Sequence, residues 1–462
     1  MNNSDYKPQT KHIVKFVVMS IIGVFLFMAL LPDGDTPNIP LGFAISWIGN
    51  FINEVSINGH GLLFLIAAVL ISISFLGSVL AYTVKPGFIM DNPKLKRIFS
   101  CGIVYLVSKA IAVALVWMVF FSAGPDWLIG WDGARLMMML IADGGSNLMS
   151  IFIILGLAIP ILTDFGLMEF LGLLIRKVIR FLFTLPGRSS IDLLGSWFSS
   201  SAASVIITRD QHEKGYYTGR EAAAICVNFT LVSLPFTYVV ASTIGLTANF
   251  LSFYLVITVT TLILAVIMPR IWPLRNIKDE YLPDVDKQID EEVPSNTSTF
   301  SLAVKQASQR ASETGTADVI KAGLSNWLNI FMDLIPVILA WGTIALVINE
   351  LTPIFDILSW PFGQLMVLLG VEQAMVYAPA TIVGFVDMFI PAMMLGASET
   401  VPFQTAFIIG ALSIVQIIYL AETGILILKS KIPLNIGHLA ILFLMRTVLA
   451  LPLIVLFTRI IF

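Results

Sequence analysis

Long apolar runs alternate with short polar stretches along nearly the whole chain. Continuous runs fall near 13–31, 61–83, 99–121, 147–165, 217–241, 249–271, 322–348, 401–425 and 436–458. Each is close to the roughly 20 residues that a helix needs to cross a hydrocarbon core. The runs are continuous rather than alternating, which argues against a membrane β-barrel. Two further pieces, 189–208 and 376–396, are apolar but interrupted. The first is interrupted by Ser199, Ser200, Ser201 and Ser204, the second by Pro379, Gly384, Pro391 and Gly396. Each has the length for one crossing, or for two half-helices joined at a break. A break at membrane depth needs protein or a water-filled cavity around its freed backbone groups. In transporters such breaks often line the solute site, whereas small residues in an unbroken helix let a neighbour pack closely. The pattern predicts an all-α polytopic membrane protein with about 9–11 transmembrane helices, including two candidate re-entrant helical hairpins.

The polar stretches between the runs predict orientation. Lys7, Lys11 and Lys15 precede or open the first run, and Lys85, Lys94, Lys96 and Arg97 follow the second. Residues 32–60 carry no Lys or Arg, and 124–145 only Arg135. Basic loops stay in the cytoplasm, so the N-terminus and the loop after the second run are placed inside. The first run is longer than a signal-peptide core and is read as a retained span. Residues 167–184, with Arg176, Lys177 and Arg180, read as an amphipathic helix on the inner surface. Residues 273–320 are polar, and their low hydrophobicity predicts a largely disordered cytoplasmic linker with a helix near 301–311.

The element order then repeats. Residues 146–152 read SNLMSIF and 325–331 read SNWLNIF, with Ser, Asn, Ile and Phe matching at an offset of about 180. A span, an interrupted piece and two spans follow in both places. With the interrupted pieces re-entrant, the copies begin on opposite sides: an inverted repeat, which puts a solute site at the interface of its copies. The expected division is 1–122 (N-terminal helices), 140–272 (first repeat), 273–320 (linker) and 321–462 (second, degenerate repeat).

Composition narrows the function. The 462 residues are 57% hydrophobic and 12% charged, about half the charge of a soluble domain. A net charge of −3 implies no surface for nucleic acid. Cys101 and Cys226 lie in apolar runs, and His12, His60, His212 and His438 are scattered, so neither a disulfide framework nor a metal site is predicted. No cofactor motif occurs, and no nucleophile stands beside a base, so an enzyme is not expected. Trp127, Trp131, Trp272 and Trp360 fit interfacial belts.

Ionisable residues at membrane depth usually face a cavity or a partner. Asp387 lies in the second interrupted piece and Glu422 in the run after it; both are candidates to bind substrate. Ser199, Ser200, Ser201 and Asn228 would add hydroxyl and amide contacts from the first copy. Lys109, Asp333 and Arg446 are candidates for ion coupling, or for structural pairing of a buried cation with a buried carboxylate. Asp192 and Glu221 lie nearer the ends of their elements and read as interfacial. Half-helix N-termini carry about half a positive charge each, which favours a polar or zwitterionic solute over a bare cation.

The segments PGRSSIDLLGSWFSSSAAS (186–204), YYTGREAA (216–223) and ICVNFTLVSLPFTYVV (225–240) resemble the nucleoside-recognition "Gate" domain. That domain occurs in concentrative nucleoside transporters, in the ferrous-iron transporter FeoB and in the spore-maturation proteins SpmA and SpmB. The likeness covers about 140–270, with a degenerate copy in about 320–460. The whole chain resembles the YjiH family of Gate-containing membrane proteins. The resemblance implies a multi-pass protein of the bacterial cytoplasmic (inner) membrane. It further implies re-entrant hairpins around a solute site, sodium or proton coupling, and a homo-oligomer such as a trimer. FeoB's GTPase loop, GxxxxGK[ST], is absent from this sequence. Two functions are in view: a secondary transporter of a polar small solute (nucleoside, amino acid or small peptide), and a membrane scaffold or regulator that keeps the Gate fold.

Overall fold

The computed structural model describes residues 6, 8–33, 36–53, 55–57, 60–125, 128, 148–198, 201–283, 285, 287–288, 298–396, 398 and 400–462. Among them, seven helices are long and apolar enough to cross a membrane: Thr10–Met28, Phe64–Thr83, Ile103–Phe120, Thr247–Arg270, Thr316–Leu351, Phe403–Leu428 and Ile436–Ile461. An eighth crossing is offered by a bent pair, Ser150–Thr163 and Leu167–Phe183, which meet at 58°. The chain is a polytopic α-helical membrane protein. The few described strands form two short ribbons, Leu31–Asp33 with Thr36–Asn38 and Ser56–Ile57 with His60–Gly61. Between them the basic-free loop carries a helix, Pro40–Asn53, that its composition did not announce.

The bend in the eighth pair has local causes. Pro160 lies inside the first arm, where it removes one N–H from the helical ladder. Gly166, at the corner, takes φ +100°, and an added Cβ would stand 2.4 Å from the Ala307 carbonyl oxygen. Glycine meets both demands at once.

Ala307 belongs to the helix Thr299–Glu313, which packs on both Leu167–Phe183 and Thr10–Met28. Tyr6 donates to the Ser308 carbonyl at 3.1 Å, Lys15 donates to the Thr314 carbonyl, and Thr314 Oγ1 donates to the Asp164 carbonyl at 2.7 Å. Earlier in the same segment, Gly219 N donates to the Glu280 carbonyl at 2.9 Å, and Thr218 Oγ1 to Asp279 at 2.6 Å. The described parts of 273–320 are therefore folded against the membrane helices, which corrects the expectation of a largely disordered linker. The expected helix near 301–311 is present; residues 284, 286 and 289–297 lie outside the described residues.

Run 217–241 is not one helix. It forms Gly219–Asn228 and Leu234–Thr243, separated by a non-helical stretch over 229–233. Pro235 sits in the first turn of the second piece, a place proline favours. Asn228 and Thr230 side chains bond back to the Ala224 and Cys226 carbonyls at 3.0 and 2.7 Å, a competing pattern that weakens a helix end. Run 401–425 is broken likewise: Phe403–Val415 ends, residues 416–419 depart with Ile417 at φ +61°, and Leu420–Gly424 resumes. Within the second half, ahead of its hairpin, Ile354–Leu368 forms a further apolar helix that the run pattern passed over.

Each half thus contains, in order, an interrupted hairpin, a broken helix and a long helix. The long helices, Phe250–Ile267 and Ile436–Ile461, pack on one another. The opening helices, Leu148–Thr163 and Thr316–Asn329, cross so closely that a Cβ on Gly156 would lie 3.0 Å from the Gly323 carbonyl, and the reverse holds. The first seven-residue match lies in Leu148–Thr163 apart from Ser146 and Asn147, which are outside the described residues; the second runs from Thr316–Asn329 into the π-helical turn Ile330–Leu334.

Candidate functional site

The first interrupted piece folds back on itself. Its arms are Ser189–Phe198 and Ser201–Glu213, and Ser204 Oγ donates to the Asp192 carbonyl at 3.0 Å. In a straight helix these residues would stand about 18 Å apart. The arms have 10 and 13 residues, too few to cross a bilayer alone. The second piece does the same. Tyr377 OH and Ser398 Oγ lie 2.9 Å apart, where a straight helix would hold them about 30 Å apart. Its non-helical tip spans 384–389 and carries Asp387.

The tips and the broken helices converge. Ser201, at the start of the first hairpin's second arm, lies 2.5 Å from the Tyr419 hydroxyl in the second break. Tyr419 OH also donates to Glu422 Oε2 at 3.2 Å. Leu420 N and Ala421 N donate to the Phe385 and Val386 carbonyls at 2.8 and 3.0 Å, so the second tip is tied to the second break. This holds Asp387 beside the turn that bears Glu422. Ser196 Oγ donates to the Phe229 carbonyl at 2.6 Å, tying the first hairpin to the first break. Phe389 of the second tip stacks edge-on to Phe236 of the first broken helix, with ring centroids 5.7 Å apart.

Within this centre Asp387 is buried, and its Oδ1 accepts from Phe389 N at 2.8 Å. Glu422 is half-buried. Among the described residues, no ion pair involves either carboxylate. Two carboxylates, a tyrosine and a serine therefore meet without a charge-balancing partner. Such a group can accept hydrogen bonds from a solute, or take up a proton or cation. No cluster of three or more His, Cys, Asp or Glu suited to a metal is present among the described residues. Surface depressions of about 560 Å³ beside Tyr82 and Cys101 and about 390 Å³ beside His212 and Tyr281 include none of these groups.

The remaining candidates lie elsewhere or are already engaged. Ser199 and Ser200 lie outside the described residues. Asn228 accepts from Arg446 at its Oδ1, at 2.9 Å, and donates from its Nδ2 to the Ala224 carbonyl. Arg446 is wholly buried; beyond Asn228, it donates to the Val227 carbonyl at 3.2 Å and twice to the Val415 carbonyl, at 3.0 and 2.8 Å. Its partners are carbonyl oxygens, not the buried carboxylate that pairing would have supplied. Lys109 forms a 3.2 Å ion pair with Asp333, which stands in a π-helical turn, Ile330–Leu334. Asp192 is buried and accepts from Tyr217 OH at 2.6 Å. Glu221 closes a capping box with Thr218 at a helix start.

Sequence reasoning missed Tyr419, which reads as one more apolar-run aromatic, and Gln416. Gln416 Nε2 donates to the Thr381 carbonyl at 2.8 Å and to Thr447 at 2.7 Å, joining the second hairpin, the second break and the last helix. A glutamine inside an apolar run was the available signal.

The family model for the Gate domain, described as nucleoside recognition, matches residues 146–250. The uncharacterized protein BpOF4_10220 of Alkalihalophilus pseudofirmus is 40% identical over 462 residues, covering 98% of this chain and 96% of that protein. Two solved structures are similar along the chain. CNTnw in an inward-facing substrate-bound state shares 16% identity over 97% of this chain and 98% of that one, with a TM-score of 0.37. A CNTnw variant in an outward-facing state shares 16% over 98% of each chain, with a TM-score of 0.34.

Proposed function

The chain belongs to the family of the Alkalihalophilus protein and contains a Gate domain, and from that premise we propose that it is a secondary transporter of a polar small solute. Nucleosides come first among the solutes, because the matched domain is described as nucleoside recognition; amino acids and small peptides follow. The observation that carries the reading is the meeting of Asp387, Glu422, Tyr419 and Ser201 where two folded-back hairpins touch a helix break. Carboxylates and hydroxyls accept hydrogen bonds from the hydroxyl and amino groups of a nucleoside. The half-helix ends around them supply the fixed dipoles by which broken-helix transporters orient solutes. The basic loops favour a cytoplasmic N-terminus, and a bacterial inner membrane is the proposed location.

Purified protein should be stabilised by one solute class from a panel of nucleosides, amino acids and small peptides. Linkage predicts about 2.7 kcal/mol at a hundredfold excess over the dissociation constant. In proteoliposomes, Asp387→Asn should abolish coupled uptake of that solute while leaving the protein folded. Stabilisation by none of the panel, or undiminished uptake by Asp387→Asn, would overturn the reading.

A further inference from the structure

The solute centre does not use Arg446, whose guanidinium is wholly buried on the last helix. It sits where two helices stop: Gly219–Asn228, through Val227 O and Asn228 Oδ1, and Phe403–Val415, through Val415 O. The last carbonyls of a helix lack intrahelical partners. Each C-terminus carries about half a negative charge, so two of them supply about one unit, the charge of a guanidinium. That balance explains how an arginine persists at depth with, among the described residues, no carboxylate on it. In broken-helix transporters, half-helix C-terminal ends and unwound carbonyls are also where a mobile sodium ion or proton is held.

We propose that Arg446 is a tethered cation filling the place between the two helix breaks, and that this place takes no alkali cation in the native protein. The acceptors there, two backbone carbonyls and one side-chain amide oxygen, are neutral hard oxygens of the kind that bind sodium. The guanidinium delivers the same charge through directed N–H bonds, and it cannot dissociate. Arginine stays protonated in proteins, so this residue does not carry a coupling proton either. Only one consequence rests on the transport reading: coupling then falls to Asp387 and Glu422.

The test uses purified full-length protein melted in sodium, potassium, lithium or choline chloride at one ionic strength. Wild type should melt at the same temperature in all four, apart from any sodium response that Asp387→Asn or Glu422→Gln removes. Arg446→Ala should melt lower than wild type, and its melting temperature should rise saturably with sodium or with methylguanidinium, but not with choline. Arg446→Gln is the parallel variant should the alanine protein not fold. A saturable sodium response of the wild type that persists in Asp387→Asn and in Glu422→Gln overturns the inference. So does a folded variant that is indifferent to every small cation. Where neither Arg446 variant folds, the sodium titrations of the wild type and the two carboxylate variants decide: a response that persists in all three refutes the inference and its absence upholds it. Melting does not require transport, so a failure to find a solute leaves this result readable, and the reverse also holds.

Discussion

Two buried cations, one in each part of the molecule, are neutralised by different means. Lys109 lies between the N-terminal helices and the π-helical turn of the second half; it reaches Ser78 Oγ at 3.0 Å, the Ile98 carbonyl at 3.2 Å and Asp333 at 3.2 Å. Its carboxylate partner is 39% exposed, whereas Lys109 itself is fully buried. Arg446 lies at the centre, on carbonyl oxygens at the ends of two half-helices. A side-chain partner can be mutated, rotated or hydrated. Backbone carbonyls can be moved only by moving the helices that own them. The Lys109 region is thus a clasp between helices, and the Arg446 region is a fixed point on which both breaks depend.

Removing the central cation should have the largest effect. Arg446→Ala is expected to cost about 3–5 kcal/mol in detergent melts, as for other uncompensated changes at buried charges. Lys109→Met should cost less, about 1–3 kcal/mol, because Asp333 is part-exposed, whereas every acceptor of Arg446 is buried. Adding Asp333→Asn to Lys109→Met should recover part of that loss, since a contacting pair is not additive. No single carboxylate change can rescue the arginine in this way. Asn228→Ala, which removes one of the four bonds to Arg446, should cost about 1 kcal/mol. Arg310, a third cation, lies 3.8–3.9 Å from Glu169 and Asp164 with its side chain 45% exposed; Arg310→Ala should cost less than about 1 kcal/mol. Equal losses for Arg446→Ala and Lys109→Met would erase the contrast. A full double-mutant rescue at Lys109 would sharpen it.

Much of this was legible in the chain. The membrane-depth charges were all conspicuous, because few residues of that kind interrupt the runs. The serine-rich piece was legible as a candidate break, and the proline- and glycine-rich piece likewise. What escaped was pairing and backbone state. Lys109 and Asp333 are 224 residues apart, and nothing local links them. Arg446 was expected to seek a carboxylate, because a sequence displays side chains and hides which carbonyls a broken helix sets free. The first break fell inside ICVNFTLVSLPFTYVV, which is uniformly apolar apart from small polar residues; Pro235 was its one plain marker. The helix Ile354–Leu368 was overlooked because Pro361 interrupts its pattern.

The helix Thr299–Glu313 belongs by position to the connection between the halves, yet Tyr6, Lys15, Asp164, Gly166 and Glu169 lock it onto the first half and the N-terminal helix. The opening helix of the second half follows it directly and crosses the first half glycine to glycine. Adhesion between the halves is therefore non-covalent along a long seam, and the peptide bonds joining them are not what keeps them together. Two polypeptides divided ahead of Ser298 should therefore still associate, which co-purification of the two parts from one membrane checks.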